Sequence, residues 1–141
     1  MPNPELQSLL LNSLYALSQL DLPEIQVKAA FEMRAACLAG YTPDLFGCHI
    51  CSSENADRFD LSAGQLECLG CRTGDGGIRM PVNPGIIHAL QYLSGCDSKK
   101  LFSFSLGNEN LEMLSSLTEA YLTTQLERGF STLDFYKSLL I

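Results

Sequence analysis

Two Cys-x-x-Cys pairs constrain this chain more than any other feature. Cys48 and Cys51 form the first, Cys68 and Cys71 the second, and sixteen residues separate them in CHICSSENADRFDLSAGQLECLGC. Four of the six cysteines in 141 residues therefore fall in one stretch. Three chemistries compete for such a pattern: two disulfides, a redox couple or a metal cage. The N-terminus, MPNPELQSLL, lacks the basic, apolar, small-residue order of a secretory signal. No run of about 18 apolar residues is present to span a membrane. These features point to a reducing cytoplasm, where paired Cys-x-x-Cys motifs bind metal more often than they cross-link. A redox couple needs one such motif opening a helix after a strand, whereas GCHICSSENADR reads as a loop.

Two cysteines three apart set both sulfurs on one side of a tight turn, and two such turns facing each other form a tetrahedral sulfur cage. Cys48, Cys51, Cys68 and Cys71 are thus the expected ligands of one structural Zn2+. Four protein ligands leave no position for water or substrate, so catalysis at the metal is not expected. Iron in the same cage is chemically admissible; zinc is preferred because nothing else points to electron transfer. Between the pairs, Phe59, Leu61 and Leu66 flank Ser62, Ala63 and Gly64, which predicts a short β-hairpin. Cys37 and Cys96 read as small buried hydrophobes. His49 lies between two ligands but is not needed, and His88 reads as a helix-face residue. GDGG at 74–77 lacks the Lys-Ser/Thr of a phosphate loop, and no nucleophile, histidine and carboxylate grouping is evident.

The remainder reads as helices. Asn3, Pro4 and Glu5 predict a capped helix start, with Leu6, Leu9, Leu10, Leu14 and Leu17 at helical spacing. Asp21 and Glu24 fit a capping box for a second helix that Gly40 stops. Asn83 and Pro84 open a third ending at Gly95. GNENLEMLSSLTEAYLTTQLERG is the longest, and STLDFYKSLLI closes the chain as a fifth, capped by Ser131 or Thr132. LFSFSL, residues 101–106, is ambiguous between a strand and a linker. The expected fold is all-α: a bundle of about five helices, residues 1–141 forming a single domain. A four-cysteine zinc-binding loop with its hairpin is inserted at about 44–80.

These residues add up to a resemblance. FEMRAACLAGYTPDLFGCHIC resembles the RecO family of bacterial recombination mediators, in which a helix ends in Gly-Tyr-x-Pro-x-Leu and runs into a zinc loop. Phe31, Glu32, Arg34, Leu38, Gly40, Tyr41, Pro43, Leu45, Cys48 and Cys51 match. Phe59, Gly64, Cys68 and Cys71 fall where the family has its Phe, its Gly and its second cysteine pair. The ending YLTTQLERGFSTLDF matches at Tyr121, Leu122, Leu126, Arg128, Thr132, Asp134 and Phe135. Family members usually carry an OB domain upstream, which implies that this chain is a C-terminal fragment. The closing motif often has His, Gly and Lys where this chain has Gln125, Glu127 and Ser131.

The resemblance implies a non-enzymatic role in homologous-recombination repair, cytoplasmic and nucleoid-associated. Its implied partners are single-stranded DNA, mainly through the missing N-terminal domain, the single-strand-binding protein SSB, RecR and the recombinase RecA. Charge limits what this part does: 9 basic against 16 acidic side chains leave a net charge of −7. Residues 44–79 hold six acids against three arginines. Such a field opposes phosphate binding, so the zinc loop reads as scaffold or protein-docking surface. An adaptor that binds only proteins is the alternative. For the acidic, apolar-ended tail of SSB, the expected basic rim residues are Lys28 and Arg34 near Phe31, and Arg128 at the end of the long helix.

Overall fold

Asparagine followed by proline opens two of the helices, and each does so by the same local chemistry. The computed structural model describes residues 3–71 and 77–128. In α1, Pro4–Gln19, the Asn3 side chain accepts from the Leu6 amide at 3.1 Å and Pro4 takes the first helical position. In α3, Pro84–Gly95, the Asn83 side chain accepts from the Ile86 amide at 2.9 Å. Each asparagine satisfies one of the amides a helix start leaves unpaired, and each proline occupies a site whose missing N–H costs nothing. The Asp21–Glu24 capping box does not form. α2, Glu24–Leu38, starts after Pro23, which sits at the cap position without any side-chain cap bond.

Gly40 ends α2 as expected. Its φ is +100°, its amide donates to Cys37 O at 3.0 Å, and the Tyr41 amide donates to Ala36 O at 2.9 Å. That paired arrangement satisfies the last carbonyls of the helix and turns the chain sharply away. α4, Asn108–Arg128, is the longest helix. The segment 101–107 has no strand: after a turn it runs as an irregular linker with Leu101 and Phe102 buried. Gln26, itself buried on α2, pins it by donating to Phe102 O at 3.0 Å and Phe104 O at 2.7 Å.

The all-α expectation of about five helices is overturned. Among the described residues there are four α-helices and a four-stranded mixed sheet, so the fold is mixed α/β. The strands are β1 (Asp44–Cys48), β2 (Arg58–Asp60), β3 (Gln65–Glu67) and β4 (Arg79–Pro81), in the spatial order β1-β3-β2-β4. The hairpin expected around Ser62-Ala63-Gly64 is β2–β3, with Phe59 opposite Leu66. The two outer strands are illegible in the sequence for a physical reason. β4 is three residues long, and β1 pairs in parallel with β3 across an irregular register. Neither carries a local pattern, and each becomes a strand only through a distant partner. The fifth helix, with its Ser131 or Thr132 cap, lies outside the described residues.

One core serves both parts. Ala29, Ala30, Met33, Ala35 and Ala36 of α2 are fully buried, so α2 is the central helix and its small side chains let α1 and α4 approach it. Phe59 and Leu66 from the hairpin belong to the same apolar cluster as Leu114, Leu117 and Tyr121 of α4. Gln125 is buried and donates to Leu61 O at 2.8 Å. It ties the hairpin turn to α4. Gln91 of α3 donates to Leu45 O at 2.8 Å and holds β1 in the same way.

Candidate metal centre

The first cysteine pair lies at the end of β1, on a turn that only certain backbones allow. Gly47 has φ +112°, and a Cβ there would sit 2.9 Å from the backbone oxygen of Ser52. The Cys48 amide donates to Ser53 O and the Ser52 amide to Cys48 O, both at 2.9 Å, and Ser52 has φ +64°. The chain therefore folds back on itself directly after Cys48. The second pair spans a short 3-10 turn, Leu69–Cys71, closed by the Cys71 amide on Cys68 O at 3.2 Å. The His49 amide donates to Leu66 O at 2.9 Å and draws the two turns together.

The four thiol sulfurs lie within 4.8 Å of one another, and Cys51 Sγ stands 3.6 Å from Cys68 Sγ. All are free thiols. A disulfide needs about 2.05 Å, whereas a tetrahedron with metal–sulfur bonds of about 2.3 Å puts its sulfurs roughly 3.75 Å apart. The spacing matches the second geometry. Cys48 is buried, Cys51 exposed, and Cys68 and Cys71 half-buried.

Proton affinities within the cluster diverge. The Cys51 amide donates to the Cys48 sulfur, helped by those of Ile50 and Cys68, and against the pull of burial this lowers the Cys48 thiol to about 6. Hydrogen bonds with Cys51 and then Cys68, with burial added, push Cys71 up to about 12. Cys48 is poised as a thiolate while Cys71 is held against further negative charge. Four thiolates at this spacing need a cation to coexist. The donor set therefore fits a closed, four-sulfur metal site, and these four side chains would hold the ion.

His49 is exposed and contributes only its backbone amide, and His88 is exposed on α3. Arg79 is not free surface charge: its side chain is 9% exposed, its Nη2 3.5 Å from Asp60 Oδ2 and 3.4 Å from Glu67 Oε2. That network ties β4 to β2 and β3 beside Cys68.

Of the expected rim residues, Lys28 and Arg34 are not brought together. Lys28 and Phe31 line a groove of about 660 Å³ between α1 and α2, with Leu10, Leu14, Leu17 and Ile25. The Lys28 ammonium is shared with Glu32 at 2.9 Å, Glu119 at 3.4 Å and Ser115 Oγ at 3.2 Å. Burial raises the Glu32 carboxyl above its usual range, opposed by Lys28 and by the Thr118 hydroxyl. Arg34 turns to the end of α3, donating to Leu93 O at 2.9 Å and to Cys96 O at 2.7 Å. It lines a separate cavity of about 270 Å³ with Pro4, Glu5 and Leu38. Arg128 ends α4, and its side chain lies outside the described residues.

Sequence reasoning missed the joint at which the motifs meet. The Tyr121 ring packs edge-on against Phe59, centroids 5.4 Å apart at 70°. Its hydroxyl donates to Tyr41 O at 2.5 Å. A Cβ on Gly64, whose φ is +66°, would lie 2.8 Å from that hydroxyl. Tyr41, Phe59, Gly64 and Tyr121 are thus one contact, where the end of α2, the hairpin and α4 converge.

Two cysteine knuckles at metal-binding spacing on a small mixed sheet, keyed into helices by one tyrosine, define a mixed α/β module with a candidate four-thiol metal site. The family model for the recombination protein O C-terminal region matches residues 1–134, and the chain belongs to the RecO family. The DNA repair protein RecO of Acetivibrio thermocellus is 33% identical over 141 residues, covering 98% of this chain and 55% of that protein. The proteins of the same name from Thermoanaerobacter sp. and Caldicellulosiruptor saccharolyticus are each 26% identical, over 91% and 96% of this chain and 52% and 54% of theirs. The chain thus spans about half the length of the curated relatives it matches. No described helix is long and apolar enough to cross a membrane.

Proposed function

We propose that this module is the structural and protein-docking part of a RecO-like recombination mediator acting in DNA repair in the cytoplasm, at the nucleoid. The observation that carries the reading is the family match across residues 1–134 together with a four-thiol cluster at metal-binding spacing. The resident ion is Zn2+, bound by Cys48, Cys51, Cys68 and Cys71, and it fixes the sheet rather than performing chemistry. Annealing and loading of RecA on single-stranded DNA belong to the whole mediator, with RecR as a further partner. The module itself turns over no substrate.

The SSB tail, acidic and apolar at its end, suits the α1–α2 groove. Leu10, Leu14, Leu17, Ile25 and Phe31 supply an apolar floor and Lys28 stands at its rim. Glu32 and Glu119 share that lysine, so attraction is modest and salt weakens it further. The test is titration of a fluorescent SSB-tail peptide into the protein and into Lys28→Ala, Arg34→Ala and Arg128→Ala. Circular dichroism must confirm the fold of Arg34→Ala, since Arg34 holds the end of α3. Lys28→Ala is expected to weaken binding most. Absence of binding at low salt removes tail docking from this domain, and binding untouched by all three changes discards these residues. A protein-only adaptor is the second reading, favoured by the net charge of −7.

A further inference from the structure

Three large apolar side chains close in sequence to the four cysteines are exposed. Phe46, two residues before Cys48, is 84% exposed, Ile50 within the first knuckle 55%, and Leu69 within the second 66%. Exposed apolar clusters at a rigid site mark contact surfaces more often than chance positions do. Phe46 also lines a groove of about 470 Å³ between β1 and α3, with His88 and Gln91 on its far wall. Among the described residues lining that groove, Glu54 is the only carboxylate, and no lysine or arginine faces it. Asp44, at the start of β1, is exposed as well, and the sequence from 44 to 57 contains no lysine or arginine. Four thiolates on a divalent ion add a net charge of about −2 beside it.

We propose that the β1–α3 groove, extended by the tip of the first cysteine knuckle, docks a protein segment that carries lysine or arginine next to apolar side chains. The apolar side chains seat on Phe46 and Ile50, and the cationic group meets Glu54 in the groove. The surface is acidic and apolar together, so a phosphate backbone is repelled where a cationic protein is drawn in. The surface is also held in shape before binding. Gly47 and Ser52 lock the knuckle, and Gln91 fixes β1 to α3, so little ordering cost falls on association. This proposal rests on the metal-centre reading, because the ion clamps the knuckle that carries Ile50. It is independent of the α1–α2 groove.

The experiment titrates a fluorescent Lys/Leu amphipathic peptide, a Lys/Ser peptide of equal charge and an oligothymidylate into the zinc-loaded protein. It is repeated with Phe46→Ser/Ile50→Ser, with Glu54→Gln and, as a control on α1, with Leu11→Ser. Bound zinc is measured in every sample, so a failed metal reading is scored separately from a failed docking surface. The Lys/Leu peptide is expected to bind at least tenfold more tightly than the Lys/Ser peptide. The double variant with its zinc retained should lose at least tenfold, Glu54→Gln severalfold, and Leu11→Ser nothing. Equal binding of both peptides reduces the effect to bulk charge and overturns the proposal. Full affinity in Glu54→Gln and the double variant overturns it too, as does tighter binding of the oligothymidylate.

Discussion

Substituting Gly64 by alanine tests the joint between sheet and helices through two separable costs. Gly64 has φ +66°, where an L side chain costs about 1–2 kcal/mol. The new Cβ would also stand 2.8 Å from the Tyr121 hydroxyl. Tyr121 is buried and its hydroxyl is held on Tyr41 O, so the overlap cannot be relieved by a free swing and adds about 1–3 kcal/mol. Tyr121→Phe alone removes one partly buried hydrogen bond, about 0.5–1.5 kcal/mol, and keeps the ring on Phe59. In the double variant the overlapping oxygen is gone while the φ cost remains. The two changes should therefore be less damaging together than their sum, by about 1–3 kcal/mol, where distant pairs add within about 0.5 kcal/mol. Urea unfolding followed by circular dichroism, on four proteins of equal zinc content, measures the cycle. Additivity, or a coupling of opposite sign, refutes the claim that Gly64 is required by the tyrosine above it.

Cys71→Ser should abolish stoichiometric zinc binding while the helical circular dichroism signal largely survives, since α2 packs directly on α1, α3 and α4; one zinc per chain by elemental analysis is expected of the parent, and a metal-free folded parent would sink the site. Gly47→Ala should damage the protein more than Gly70→Ala, because a Cβ at 47 meets the Ser52 backbone at 2.9 Å and one at 70 meets nothing within 4 Å; thermal melts of both variants decide it, with a loss of about 2 kcal/mol or more expected at 47. Residues 1–141 alone should bind single-stranded oligonucleotide weakly near physiological salt, given the charge of −7 and the pairing of Arg79; tight, salt-sensitive binding in a fluorescence titration would reveal a basic face around Lys99 and Lys100.

What can be read from residues alone is what short-range chemistry decides. Asn3-Pro4 and Asn83-Pro84 cap their helices through atoms three residues away. The Phe59 to Leu66 hairpin needs only its own turn, and the cysteine spacing encodes its own cage. Legibility fails where partners come from afar. β1 is a strand because β3 reaches it, and Arg79 becomes the counter-ion of Asp60 and Glu67 through strand pairing that its local sequence does not encode. Arg34 reads in sequence as a rim residue or as half of a carboxylate pair, yet it spends its donors on the carbonyls closing α3. Tyr41, Gly64 and Tyr121, far apart in sequence, likewise meet at one joint.

The strand order β1-β3-β2-β4 also decides what can be cut out of this chain. β1 receives the polypeptide from α2 and β4 returns it to α3, so the entrance and exit of the sheet lie on opposite edges. Neighbouring strands stand about 4.8 Å apart, which separates the two edges by roughly 14 Å. A deletion that discards the cysteine segment and splices Asp44 directly to Pro81 has no two-residue turn to use. It must bridge that width with at least about four extended residues, or drag α3 away from α2. The cysteine-bearing segment is in that sense a span between two abutments and not an ornament hung from one of them, and a shortened homologue could dispense with it only by moving a helix.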